Sequence, residues 1–369
     1  MKSEPPEDFR PAVGTPASPA FGEKTGEKVE LHIGEWKDGR WSYLYGDDTD
    51  YRGEEVDLED VRVAAQRARE GDELPKIIQG PIINPPVWTW EVPLYFWFGG
   101  IAAGSSFVAL ACDLAGDEKS AAVARKVALG ALMPSPPLLI MDLGRPERFY
   151  NMLRIFKPRS PMSMGAWALS AFGGLASAAV GADLLGRRRE AKLLGGANAI
   201  VGGYLGSYTG VLLASTAVPV WGRSRLFLGP IFVSTATATG AAATRLALVA
   251  TGLPVGHPTR RALGTVETGA MSAELLLSIV NERRLGPLAS GLETGRPGKI
   301  FKAAKWAVRG GLALRFARER GGPGVHHLAS LMYLAAGLLF RYAWVGAGRL
   351  SAQDDRAVAE MHRTTTHGT

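Results

Sequence analysis

Three sets of polar side chains sit inside otherwise apolar stretches of this 369-residue chain, and they are the places where chemistry is to be sought. The first lies in VWTWEVPLYFWFGGIAAGSS, residues 87–106, where Glu91 and Tyr95 are four apart. On a helix that spacing puts a carboxylate and a phenol on one face. The second lies in DLGRPERFYNMLRIFKPRSPMSMGAW, residues 142–167, which opens on Asp142 and Arg145 and closes on Ser163, Met164 and Trp167. The third is Glu267 and Glu274, seven apart and so on one helix face, with Arg245 in the apolar run before them. Ionisable groups inside a membrane span are costly and face a partner or a cavity. Arg245 is placed to pair with either glutamate, as a buried structural ion pair or as part of a proton or ion route. Asp113 and Asp183, near the ends of apolar runs, read as wetted caps.

Other chemistries are excluded by residue type. A single cysteine, Cys112, holds no iron–sulfur cluster and forms no internal disulfide. Its apolar neighbours give it the role of a small buried residue. The six histidines are His32, His257, His326, His327, His362 and His367, and no pair falls on facing helices where a haem would be ligated. There is no zinc spacing, phosphate loop or nucleophile elbow, so no metal site is expected. The net charge of +7 and pI near 9.5 do not signal nucleic acid. The arginines lie in the short connections between apolar runs, where they meet lipid headgroups or a partner subunit.

The elements that must position these groups are helices. Residues 1–86 are charged and proline-rich, while 87–350 are long runs of Ala, Gly, Leu, Val and Phe, several with the roughly 20 residues a helix needs to cross a bilayer. The expected fold is all-α: a polytopic transmembrane bundle of about eight spans, arranged as two four-helix bundles after a largely irregular soluble segment. The spans run near 92–114, 121–141 (interrupted by Pro134, Pro136 and Pro137), 162–185, 193–220, 227–253, 262–280, 300–316 and 325–350. The seventh is short and carries Lys and Arg. The corresponding domains are 1–86, 87–221, 222–350 and a polar tail, 351–369.

Within the first domain, residues 1–28 have the composition of disorder, 31–51 of a short hairpin and 56–70 of an amphipathic helix. The opening MKSEPPEDFR lacks a charged-then-apolar signal, so the first span is expected to direct insertion. Gly100 and Gly104, then Gly202, Gly206 and Gly210, recur every four residues and predict smooth grooves for close helix packing. Alternate loops carry about thirteen Lys and Arg on each side, so the positive-inside bias sets no orientation.

Two ordered motifs carry a family resemblance. Trp88, Trp90, Tyr95 and Gly100-Ile-Ala-Ala-Gly104 follow one another in the first span. Asp142-Leu-Gly-Arg-Pro146 is followed by Ser160-Pro-Met-Ser-Met-Gly-Ala-Trp167, and Tyr208-Thr-Gly-Val-Leu-Leu by Pro219-Val-Trp221. This pattern, over about 87–221, resembles the NrfD/polysulfide reductase family of membrane subunits. Some members have Asn and His where Glu91 and Tyr95 align.

The resemblance implies a membrane subunit that binds menaquinone or ubiquinone and holds no haem or cluster itself. Electrons would pass through a four-cluster, ferredoxin-like iron–sulfur subunit docked on a molybdenum-type catalytic subunit, at a bacterial cytoplasmic membrane. The quinone headgroup would be lined by Glu91, Tyr95 and Tyr208, with Asp142 and Arg145 nearby. A proton- or ion-translocating subunit using Arg245, Glu267 and Glu274, or a purely structural anchor, are the alternative readings.

Overall fold

Prolines, caps and glycines cut the apolar part of the chain into helices. The computed structural model describes residues 83–143, 146–316, 323–354 and 358, and the regular elements among them are all helical. The expectations for 1–28, 31–51, 56–70 and Arg145 lie outside the described residues. The helices are α1 (Glu91–Leu114), α2 (Glu118–Leu132), α3 (Ser135–Met141), α4 (Asn151–Arg154), α5 (Pro161–Leu184), α6 (Arg188–Ala214), α7 (Pro219–Arg223), α8 (Arg225–Ala250), α9 (Pro258–Leu285), α10 (Ser290–Glu293), α11 (Gly295–Phe316) and α12 (Pro323–Ala352).

Local sequence explains the boundaries. Asp117 caps α2 by accepting from the Ser120 N–H at 3.1 Å, and Ser160 caps α5 from the Ser163 N–H with Pro161 at the first helical position. Gly116 and Gly186 take φ of +78° and +72°, which lets the chain reverse within residues 115–117 and 185–187. Pro134 separates α2 from α3, so the expected second span is broken where its prolines cluster.

Among the described residues, five helices are long and apolar enough to cross a membrane: α1, α5, α8, α9 and α12. The count rises to six if α2 and α3 form one broken span with the Pro146–Arg154 segment. The two remaining long helices, α6 and α11, do not qualify, so the expected eight crossings are not reproduced by this measure. The reason differs between them. α6 packs against α1, α5 and α8 and buries Asn198, Tyr208 and Thr209, so its sides need not be lipid-like. α11 is a continuous helix at the expected seventh position, but it carries Lys299, Lys302, Lys305, Arg309 and Arg315.

The expected separation into two bundles is blurred by α8, which packs on α1 and α6 as well as on α9 and α12. Its contact with α1 is backbone on backbone. A Cβ at Gly104 would strike the Ala236 carbonyl, and one at Gly240 would strike the Gly104 backbone. Gly210 lies in the same way against Leu228 and Gly229. The four-residue glycine spacing therefore does make close-packed grooves.

Asp113 and Asp183 depart from expectation. Rather than being wetted caps, they clamp the buried Arg125: Nη1 donates to Asp113 Oδ2 at 2.6 Å, while Nε and Nη2 donate to Asp183 at 2.6 and 2.8 Å. This triad ties α1, α2 and α5 at one end of the bundle. Replacing Arg125 by Met leaves two carboxylates buried without their cation. The expected cost is about 3–5 kcal/mol, read as a lower thermal midpoint of the detergent-purified protein. An unchanged midpoint would mean that the triad is solvated rather than buried.

Candidate functional site

At the opposite end of the bundle, α1, α3, α5 and α6 enclose a cavity of about 60 Å³. Its lining is mostly apolar: Val92, Phe96, Leu139, Met152, Met162, Leu169, Leu205 and Leu212. The polar exceptions include Tyr95 from α1, Tyr208 from α6 and Asp142 from the turn after α3. These are three of the five residues expected at a quinone headgroup. Tyr95 lies within electrostatic range of both Tyr208 and Asp142.

Glu91 is beside this group rather than in the lining. It is half-buried at the first turn of α1 and accepts a hydrogen bond from the Thr89 hydroxyl. Its carboxylate still acts on Asp142: burial first, and then Glu91, pushes the Asp142 carboxyl up to about 7. A carboxyl tuned to that value exchanges protons near neutral pH.

Each motif has a structural task at this cavity. Gly165, within Ser160-Pro-Met-Ser-Met-Gly-Ala-Trp167, leaves the space that the Tyr208 ring occupies, and a Cβ there would collide with the phenol. Ser163 and Trp167 fasten the preceding strap. Ser163 Oγ donates to the Ile155 carbonyl at 3.1 Å and accepts the Lys157 N–H at 3.0 Å, while Trp167 packs edge-on against Phe156. Met152, on the short α4 of that strap, thereby reaches the cavity wall. Pro219-Val-Trp221 supplies a buried indole that stacks on Trp88 at 5.2 Å and donates Nε1–H to the Trp344 carbonyl at 2.9 Å.

Trp88, Trp90, Tyr95 and Trp97 read in the sequence as an aromatic belt at the bilayer surface, and only part of that belt is formed. Trp90 is 52% exposed, as a surface anchor should be. Trp88 and Tyr95 instead line the cavity, and Trp97 turns inward to donate to the Leu334 carbonyl at 3.0 Å. Helical spacing placed these rings near the bilayer surface, but which of them packs inward depends on neighbours distant in sequence.

The second set of charges is arranged differently from expectation. Arg245 makes no ion pair with Glu267 or Glu274; it donates to the His326 carbonyl and the Ser330 hydroxyl, both at 2.9 Å. The cation on Glu267 is Arg315, from α11. Arg245 reaches Glu267 only through Ser330, whose hydroxyl donates to the carboxylate at 2.9 Å. Glu274 accepts from Ser278 at 2.7 Å, and its other oxygen has no hydrogen-bond partner among the described residues. Sequence spacing does not single out Arg315, which is one of several Lys and Arg residues along α11. Cys112 is buried in an apolar cluster, as expected. No group of three or more His, Cys, Asp or Glu among the described residues is placed to hold a metal ion.

Long apolar helices around a pocket that opens at one end of the bundle define the class: an integral membrane protein. A model described as Polysulphide reductase, NrfD matches residues 82–319, and the chain belongs to that family, whose members are membrane subunits of oxidoreductase complexes. No curated relative matches the chain.

The Gly165–Tyr208 contact gives a direct test of the cavity. Gly165→Ala must displace the phenol or the helix, at an expected cost of about 1–3 kcal/mol by overpacking. Gly203→Ala, on the same helix as Tyr208 but with open space around the new methyl, is the control. Thermal midpoints in detergent compare the two, and equal midpoints would refute the close packing.

Proposed function

We propose that this chain is the quinone-reactive membrane subunit of a multisubunit oxidoreductase in a bacterial cytoplasmic membrane. It exchanges electrons between a peripheral four-cluster, ferredoxin-like iron–sulfur subunit and the quinone pool, and it anchors the molybdenum-type catalytic subunit to lipid. The observation that carries this reading is the meeting of Tyr95, Tyr208 and Asp142 in one apolar cavity at the end of the bundle. The donor set fits a quinone, menaquinone or ubiquinone, as substrate. Two phenols donate hydrogen bonds to ring oxygens, apolar walls hold the ring, and a carboxyl exchanges the proton.

Oxidising a quinol releases two electrons and two protons. The electrons leave to the iron–sulfur partner, so the chain's own task is to position the ring and take up protons. Tyr95 and Tyr208 orient the oxygens. Asp142, in its ionised form, accepts a proton, and Glu91 beside it offers a second carboxylate toward the surface.

The pH dependence follows from the Asp142 value. As a base it works only when ionised, so quinol oxidation should rise with pH and reach half its maximum near pH 7, the value to which Asp142 is raised. Asp142→Asn removes this limb and lowers kcat/KM by about 10²–10⁴. Tyr208→Phe and Tyr95→Phe each lose one hydrogen bond and should cost about tenfold. Steady-state quinol oxidation by the purified complex measures all three. Unchanged rates in all three variants would sink the quinone-site reading.

A second reading is favoured by Glu274 and Glu267, each fully buried with one carboxylate oxygen lacking a hydrogen-bond partner among the described residues. Buried carboxylates on one helix face suit a proton route through the second half of the bundle. Under this reading Glu274→Gln abolishes proton uptake into liposomes while leaving quinol turnover in detergent intact. Uptake equal to that of the unaltered complex would remove Glu274 from any such route.

A further inference from the structure

At the end of the bundle remote from the cavity, three arginines from three helices are buried close together. Arg245 near the end of α8, Arg260 in the first turn of α9 and Arg315 at the end of α11 are 5, 6 and 8% exposed. They gather around the start of α12, where His326, His327 and Ser330 lie. Among the described residues one carboxylate joins them, Glu267, and Arg315 takes it as its ion pair.

Arg245 and Arg260 are left with neutral partners. Arg245 bonds a carbonyl and a hydroxyl, as described above. Arg260 donates Nη1 to the Leu253 carbonyl at 2.7 Å and faces His327 Nε2 at 3.1 Å. Among the described residues neither has a carboxylate within ion-pair distance. The Nε–H of each is buried with no hydrogen-bond acceptor among the described residues. Asp117, at the same end, is engaged by the Ser120 N–H and the Thr259 hydroxyl.

Two guanidinium groups withdrawn from water without an anion cost several kcal/mol each. Guanidinium groups pair best with planar or tetrahedral oxyanions. On α12, close in sequence to His327, Leu328 and Leu331 are 50 and 52% exposed and share one helix face, an apolar strip on the protein surface. We propose that Arg245 and Arg260, with His327 beside them, bind a phosphate group at this end of the bundle. The phosphodiester of an acidic phospholipid, its acyl chains along Leu328 and Leu331, and free inorganic phosphate share that chemistry. Basic pockets between membrane helices hold lipid headgroups in this manner. The site is independent of the quinone cavity, which lies at the other end of α1.

The full-length protein, delipidated in detergent, is titrated with phosphatidylglycerol, with phosphatidylcholine and with inorganic phosphate. Thermal midpoint and native mass spectrometry are read for each. Stabilisation and retention of one phosphatidylglycerol, without the same response to phosphatidylcholine, assigns the site to an acidic lipid. Stabilisation by inorganic phosphate as well assigns it to the free anion. No response to either phosphatidylglycerol or phosphate overturns the proposal, and this arm needs no variant. Arg260→Gln and Arg245→Gln should each weaken the response by about tenfold, the loss of one charge-assisted contact. Arg188→Gln, an exposed position, should not change it. Folded Arg260→Gln and Arg245→Gln proteins that bind as tightly as the unaltered chain also overturn the proposal.

Discussion

The rest of the structure depends on the contact of α1 with α8 at Gly104 and Gly240. No side chain intervenes there, so the two backbones fix each other's position far more closely than interdigitated leucines would. Because α1 and α8 come from different halves of the sequence, this contact welds the halves rather than letting them form separate bundles. It also sets where the polar ends of α1 must fall: the cavity at its start and the Asp113–Arg125–Asp183 triad at its end. With about 1.5 Å of rise per residue, the 24-residue helix holds those two polar regions on opposite sides of the apolar layer.

Polar groups in this protein are sorted by depth and by the company they keep. The cavity carboxyl, Asp142, lies in a turn where it can exchange protons with its surroundings. Glu267 and Glu274 sit within α9 and are enclosed by other helices. Arg341, 1% exposed in α12, has neither a lipid nor a water surface; it donates to the Gly337 carbonyl and lies over the Phe232 ring, with Gly100 leaving room for its tip. A glycine in α1 is thus needed to house a cation from the last helix. Polar groups in the second half are consequently matched to cut-outs in the first.

Much of this was legible in the sequence. The long helices fall within a few residues of their expected positions, because proline, serine and aspartate caps and apolar run length are local signals. Three of the expected pocket residues line one cavity, because Tyr95, Asp142 and Tyr208 sit in motifs whose order along the chain reflects the packing of α1, α3 and α6. Pairings between distant charges were not legible. Arg315, not Arg245, holds Glu267, and nothing in residue spacing distinguishes the two guanidinium groups. The crossing count was likewise obscured by α6, whose glycine, asparagine and tyrosine are unsuited to lipid but well suited to a helix packed among others.

The tryptophan stack of Trp88 on Trp221 carries a mechanical consequence. Trp221 is anchored through its indole nitrogen to the backbone of α12 at Trp344, and Gly348 on the same helix is cut away to admit its ring. The indole therefore acts as a tie-bar between the last long helix and the rim of the cavity. Any roll or slide of α12 within the membrane is transmitted to Trp88 and alters the aperture through which the cavity is entered.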